Sequence, residues 1–209
     1  MSNLTLAIGR PTLADRIFSR RLATDLVLIA AGAGLTSIAA QLSIPLWPVP
    51  ITGQTFAVLL VGTVLGSVRG ALSMALYLVL GLVGLPVFTS GAHGSLTALP
   101  SGGFIVGFIF AAALVGWLAQ RQWDHKVLRT VVSFAAGTVV MYAFGLPWLY
   151  AVLSGIPAMQ GADILQATLT GGLYPFLVGD LLKAIVAAVA LPLTWKLVNR
   201  ADDSVNDKS

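Results

Sequence analysis

The sequence predicts an all-α integral membrane protein with six transmembrane helices and both termini in the cytoplasm. Three observations carry this. The 209 residues are 57% hydrophobic and only 10% charged, whereas a soluble domain holds about 25% charged residues. The apolar residues gather in six runs, and a helical span needs about 20 residues. The twelve Lys and Arg residues fall, with one exception, in alternate connections between those runs, as the positive-inside rule requires. The composition leaves no room for a soluble catalytic domain, and no Walker-type phosphate loop occurs. Cysteine is absent, so disulfides and thiolate-held cofactors are excluded. The net charge of +4 reads as topology and not as nucleic-acid binding, because the bases flank apolar runs.

Residues 1–23 form a cytoplasmic N-terminal segment. Arg10, Arg16, Arg20 and Arg21 alternate there with Leu13, Ile17 and Phe18. The segment is either a charged flank or a short amphipathic stretch on the membrane surface. Cleavage as a signal peptide is not expected, because the run that follows is too long for an h-region. Residues 24–198 form the six-helix membrane domain. Span one, 24–44, is rich in small residues. Ala30 with Gly34 and Ala33 with Ser37 give small-xxx-small spacing, which suits internal packing or the docking of a partner subunit. Pro45, Pro48 and Pro50 then exclude helix interior. That stretch is expected to be an extended or re-entrant loop, and it carries Thr52 and Gln54.

Span two covers about 55–68 and span three about 70–85, with Arg69 in the tight connection and Tyr77 in span three. The loop at 85–103 is rich in Gly, Ser and Thr and lacks any acid, Lys or Arg. Its small polar groups suit a lid over a small ligand. Span four covers about 104–120. A charged turn at 121–129 follows, then span five at about 128–153, interrupted by Gly145 and Pro147. Span six covers about 171–198. The polar tail at 199–209 is expected to be disordered.

Lys183 is the exception among the bases, because it lies inside span six, and Asp180 lies one turn before it. At i and i+3 the two share a helix face. A charge at mid-bilayer depth costs at least about 2.5–3.5 kcal/mol on insertion scales. The pair is therefore either an ion pair that neutralises itself or a ligand site facing the bundle interior. Counting about 1.5 Å per residue from Gly172, Lys183 lies roughly 16 Å along the helix. Both side chains are then within reach of the three outer loops, which carry no Lys or Arg. A pocket opening outward follows, with Tyr77, Phe88, Phe104 and Tyr174 available as apolar walls. Its chemistry fits a small, mostly apolar ligand with an anion for the lysine and N–H donors for the aspartate. The other eleven bases are read as topology, so Arg69→Ala is expected to leave ligand binding nearly unchanged.

Four stretches carry a resemblance to a known family. They are Val49-Pro50-Ile51-Thr52-Gly53-Gln54, Gly84-Leu85-Pro86-Val87-Phe88, Gly102-Gly103-Phe104-Ile105-Val106-Gly107-Phe108 and Pro175-Phe176-Leu177-Val178-Gly179-Asp180-Leu181-Leu182-Lys183. In this order on a six-span chain they resemble the BioY family, the biotin-specific S components of energy-coupling factor transporters. The resemblance implies high-affinity biotin binding from outside and uptake across the bacterial cytoplasmic membrane. It implies partnership with a coupling transmembrane subunit and ATP-binding subunits. The implied ligand-binding set is Asp180, Lys183, Thr52, Gln54, Tyr77, Phe88, Gly102, Gly103, Phe104 and Tyr174. Within it, Lys183 is assigned to the valerate carboxylate and Asp180 to the ureido N–H groups. Partner docking is assigned to Ala30, Ala33, Gly34 and Ser37. The chain departs from the family where Ser101-Gly102-Gly103-Phe104 stands in place of a Thr-Gly-Gly-Tyr pattern.

Two other functions compete with this one. A proton-coupled secondary transporter of a small organic anion would use Asp180 as proton carrier, but the first half of the chain has no matching acid in an inverted repeat. An intramembrane enzyme needs a nucleophile–base or metal constellation. The two histidines, His93 and His125, are expected on opposite sides of the membrane. No cofactor, metal or catalytic residue is therefore expected.

Overall fold

The computed structural model describes residues 5–7, 9–159 and 162–206. Each of the six apolar runs is a helix. In chain order the long elements are α2 (Leu22–Gln41), α3 (Gln54–Leu65), α4 (Ser67–Leu82), α5 (Gly102–Ala119), α6 (Val127–Ser154) and α8 (Tyr174–Asn206). Two short helices, α1 (Leu13–Ile17) and α7 (Ile164–Gly172), precede α2 and α8. Four stretches are long and apolar enough to cross a membrane: Leu22–Gln41, Gly102–Ala119, Val127–Ser154 and Ile164–Arg200. The helices α3 and α4 are shorter, at 12 and 16 residues.

Helix α5 runs through the middle of the bundle, packed by α3, α4 and α6. Its glycines permit this. A Cβ on Gly116 would lie 2.4 Å from the backbone carbon of Gly66, and one on Gly62 of α3 would lie 2.5 Å from the carbonyl oxygen of Ala112. Small-residue contact of this kind replaces hydrophobic driving force where the solvent is itself apolar. Gly66, at φ +88°, makes the tight turn between α3 and α4, a conformation that favours glycine.

The proline-rich stretch folds back as a short hairpin. β1 (Ser43–Ile44) pairs antiparallel with β2 (Ile51–Thr52), Ser43 opposite Thr52. Two expected irregularities are not found. Helix α6 continues through Gly145 and Pro147 without interruption, and Gly145 makes room for the Phe104 ring. The tail expected to be disordered from Asn199 begins as helix, because α8 extends to Asn206. Residues 207–209 lie outside the described residues.

The reading of Arg69 as a simple topological charge is corrected. Its side chain is buried at the start of α4 and pairs with Asp15 of α1 at 2.9 Å and with Asp25 of α2 at 3.1 Å. It also donates to the Thr12 hydroxyl at 3.1 Å and to the Leu65 carbonyl at 2.8 Å. Asp25 in turn accepts from the Thr5 hydroxyl and the Leu6 N–H. The N-terminal segment is thus a strap tied over one end of α2, α3 and α4. Burial raises the Asp15 pKa, but the hydrogen bonds from Arg20 and Thr12 and the charges of Arg69 and Arg20 outweigh it and hold the carboxyl below its ordinary value. That contribution to stability is present above the ordinary carboxylate value and is lost as pH falls through the depressed one.

A second buried acid has fewer partners. Asp124, in the turn between α5 and α6, accepts from the Trp195 indole N–H at 2.6 Å, while its other oxygen has no hydrogen-bond partner among the described residues. His125 stacks on Trp195 with its Nε2 3.9 Å from that oxygen. Burial pushes the Asp124 carboxyl up against the opposing effects of Trp195 and His125.

Two outcomes are expected. Arg69→Met leaves two buried carboxylates without their guanidinium and should destabilise the protein by roughly 3–5 kcal/mol, read as a fall in the thermal midpoint in detergent. A loss under about 1 kcal/mol would contradict the buried network. Asp124→Asn keeps an acceptor for Trp195 and removes the ionisation. Because the folded carboxyl is raised, its ionisation costs stability at neutral pH and above, and that cost fades as pH falls toward the ordinary carboxylate value. Asp124→Asn should therefore melt higher than the parent at pH 8, with the gap closing near pH 4.

Candidate functional site

The first turns of α8 place Asp180 and Lys183 on the face that meets α3 and α6. Lys183 Nζ lies 3.2 Å from Asp180 Oδ1, 2.6 Å from Thr55 Oγ1 and 3.4 Å from the Thr52 carbonyl oxygen. Asp180 Oδ1 also accepts from the Thr55 hydroxyl, and Oδ2 accepts from the Tyr142 hydroxyl of α6 at 2.5 Å. Both carboxylate oxygens and the ammonium are therefore held by named groups on three elements. This meets the requirement that a buried charge be paired and hydrogen-bonded. The lysine stem lies in an apolar groove with Phe56, Leu60 and Val186, which lets its head reach the polar cluster.

Beside this network is a cavity of about 500 Å³ of atom-free space, its open mouth included. Val49, Pro50, Phe104, Ile105, Phe108, Met141 and Phe176 make its apolar walls. Thr52, Gln54, Thr55, Thr89, Ser101, Thr138 and Tyr142 bring polar groups, and Asp180 is the one charged residue lining it among the described residues. An apolar cleft with a few convergent polar groups is the usual form of a small-molecule site. This one offers acceptors and hydroxyls at one end and ring faces around the rest.

The expected site residues divide by position. Thr52, Gln54, Phe104 and Asp180 line the cavity. Lys183 stands behind Asp180 and reaches the cavity through it and through Thr55. Tyr77 and Phe88 form a buried layer beneath, edge to face at 5.4 Å. Tyr77 accepts from Gln54 Nε2 at 2.6 Å, and Gln54 Oε1 accepts from the Thr52 and Thr89 hydroxyls. The amide is thereby fixed in orientation. Phe88 is folded onto Gly81, where a Cβ would lie 2.0 Å from the ring. Gly102 and Gly103 are packed under Trp148, with a Cβ on Gly103 falling 2.3 Å from that side chain; they let α5 approach α6 and do not line the cavity. Tyr174 is 49% exposed and lies outside the lining. Of the small residues on α2, Ala33 is buried, Ala30 is exposed, and Gly34 has open space around it. The Ser37 hydroxyl donates to the Ala33 carbonyl.

Tyr142, Thr55, Thr89, Ser101 and Thr138 line the same cavity and are missed by sequence reasoning. Tyr142 gives one signal: a tyrosine in the middle of an apolar span needs a partner for its hydroxyl. The threonines give none, because a lone hydroxyl in a membrane helix commonly bonds its own backbone. The loop at 85–103 is stitched to the bundle over this site. The Phe88 carbonyl accepts from Gln41, the Gly94 N–H donates to the Gly81 carbonyl, and the Leu99 carbonyl accepts from the Trp148 indole.

Comparison with known proteins gives a consistent result. Residues 10–200 match the BioY family. The biotin transporter BioY of Rhizobium etli is 38% identical over 176 residues, covering 79% of this chain and 89% of that protein. The biotin transporter BioY of Thermotoga maritima is 37% identical, covering 83% of this chain and 98% of that protein. A crystal structure of the S component for biotin from an ECF-type ABC transporter superposes with a TM-score of 0.60 at 25% identity, covering 83% of this chain and 92% of that one. The chain belongs to the BioY family.

Tyr142→Phe removes one of the bonds to the Asp180 carboxylate. A hydrogen bond to a charged group contributes about 1.5–3 kcal/mol and this one is made without ligand, so the thermal midpoint of the ligand-free protein should fall, and ligand affinity should fall with it because Asp180 loses a group that orients it. Unchanged affinity would take Tyr142 out of the site.

Proposed function

We propose that this BioY-family chain is the substrate-specific subunit of an ECF-type transporter, and that it binds biotin with high affinity in the cavity beside Asp180 and delivers it across the membrane. The carrying observation is the paired, largely buried Asp180 at the polar end of an otherwise apolar cavity. Its carboxylate suits the N–H donors of a cyclic urea, and the Phe104, Phe108 and Phe176 walls suit the fused rings and thioether. Lys183 balances the charge of Asp180 and holds the 52–55 turn. It reaches a ligand carboxylate only by leaving one of those bonds, so its assignment to the valerate group is secondary to this supporting role. Gln54, fixed by Tyr77, Thr52 and Thr89, adds a rigid amide to the same end.

The wider reading extends the same argument. The six helices α2, α3, α4, α5, α6 and α8 each cross the bilayer, and both termini face the cytoplasm of a bacterium. Two considerations support that sidedness: eleven of the twelve bases fall on one side of such a chain, and the site opens toward the loops that carry none. Residues 1–23 and 199–209 flank the membrane domain on that basic side. The chain performs no covalent chemistry itself; energy comes from ATP-binding subunits through a coupling transmembrane subunit that docks along α2, with Ala30, Ala33, Gly34 and Ser37 in the contact.

The test is equilibrium binding of radiolabelled biotin to the purified, detergent-solubilised chain. Saturable tight binding is expected without any partner. Lys183→Ala should weaken it by at least about 2 kcal/mol, because Asp180 is left without its counter-charge. Absence of saturable binding by a monodisperse sample, or unchanged affinity in the variant, would contradict the reading.

A further inference from the structure

The strap pinned by Arg69 has a second side that the binding site does not use. Its inward residues Thr12, Leu13 and Ala14 are buried, and the Asp15 carboxylate is engaged by Arg20 and Arg69. On the outward side Arg10, Arg16 and Arg21 are exposed, and between them Ile17 is 60% and Phe18 49% exposed. Asp15 is the one acid within residues 10–21, and the outward side presents the Arg10 and Arg21 guanidinium groups with the apolar Ile17 and Phe18 between them. The strap lies at the end of the bundle where α2 begins, and one turn into α2 the exposed side chains are Leu26 and Val27, an apolar surface suited to acyl chains.

We propose that this outward side of residues 10–21 is a docking surface for anionic lipid headgroups, with Arg10 and Arg21 on the phosphates and Ile17 and Phe18 inserted at the acyl boundary. A charged flank that served topology alone would have no use for two large apolar side chains exposed among its arginines. The combination of insertion and cationic attraction is the signature of an interfacial segment. Guanidinium is the cation best matched to phosphate oxygens. The inward side is already fixed by the Arg69 network, so the surface is formed before lipid arrives and little ordering remains to oppose binding.

The chain contains no cysteine, so Ser19→Cys gives a single, exposed site for a nitroxide label. The full-length labelled protein is placed in nanodiscs of pure phosphatidylcholine and in discs with about one-third phosphatidylglycerol, and access of a water-soluble nickel relaxant to the label is measured. The proposal expects access to fall at least about twofold in the anionic discs. Arg10→Gln/Arg21→Gln should remove that difference. So should 0.5 M salt on the unaltered strap, a readout that needs no further variant to fold; surface charge is screened at that ionic strength. Equal access in both lipids at low salt would overturn the proposal, as would a difference that survives both salt and the double substitution. Biotin binding in the same discs reports on the transport reading separately.

Discussion

A carboxylate and an ammonium cannot stand unpaired in an apolar helix, and the arrangement around Asp180 follows from that requirement. In the first turns of α8 the pair is 3.2 Å apart, and each member is further bonded: Asp180 by Tyr142 and Thr55, Lys183 by Thr55 and the Thr52 carbonyl. These contacts fix the rotation of α8 against α6 and α3. They also tie down the end of the β1–β2 hairpin, which would otherwise be a loop of prolines with little to hold it. The cavity is the space left between those fixed elements. Its polarity at one end is a by-product of satisfying the ion pair.

The other end of the bundle solves the same problem differently. Arg69 collects two carboxylates and a hydroxyl from elements distant in sequence, and α1 exists because Thr12 and Asp15 cap each other around it. Charge there is neutralised for structure, tying α1, α2 and α4 together. Asp124 is the contrasting case. Its hydrogen bond from Trp195 ties the far end of α8 to the turn between α5 and α6. One of its oxygens is left without a hydrogen-bond partner among the described residues, so the protein tolerates a raised carboxyl there in exchange for anchoring the helix that carries the site.

Much of this was legible in the sequence. The six apolar runs named the helices, because hydropathy and length act locally. The isolated Asp180–Lys183 pair pointed to the candidate site, because a charge within an apolar helix is costly. The proline-rich and glycine-rich connections placed Thr52, Gln54 and the loop over them. What escaped was long-range. Arg69 sits in a short connection and looks like a flank until Asp25, 44 residues away, is brought to it. Tyr142 finds Asp180 across 38 residues. Gly102 and Gly103 carry a motif whose local cause is the Trp148 side chain on another helix, so they read as ligand contacts when their visible role is packing. Pro147 does not break α6, since within a membrane bundle neighbouring groups re-satisfy what a proline frees.

The central claim is that Asp180 and Lys183 act on the ligand as one unit. A double-mutant cycle on biotin affinity tests it most directly, with Asp180→Asn, Lys183→Met and the double variant measured beside the parent by equilibrium binding. The account predicts strong loss in each single variant and a double variant that loses less than their sum, with a coupling of at least about 1 kcal/mol, as contacting residues show. Additive losses would mean that the two side chains serve the ligand separately. Affinity unchanged in Asp180→Asn would mean that the ligand does not bind at this cavity.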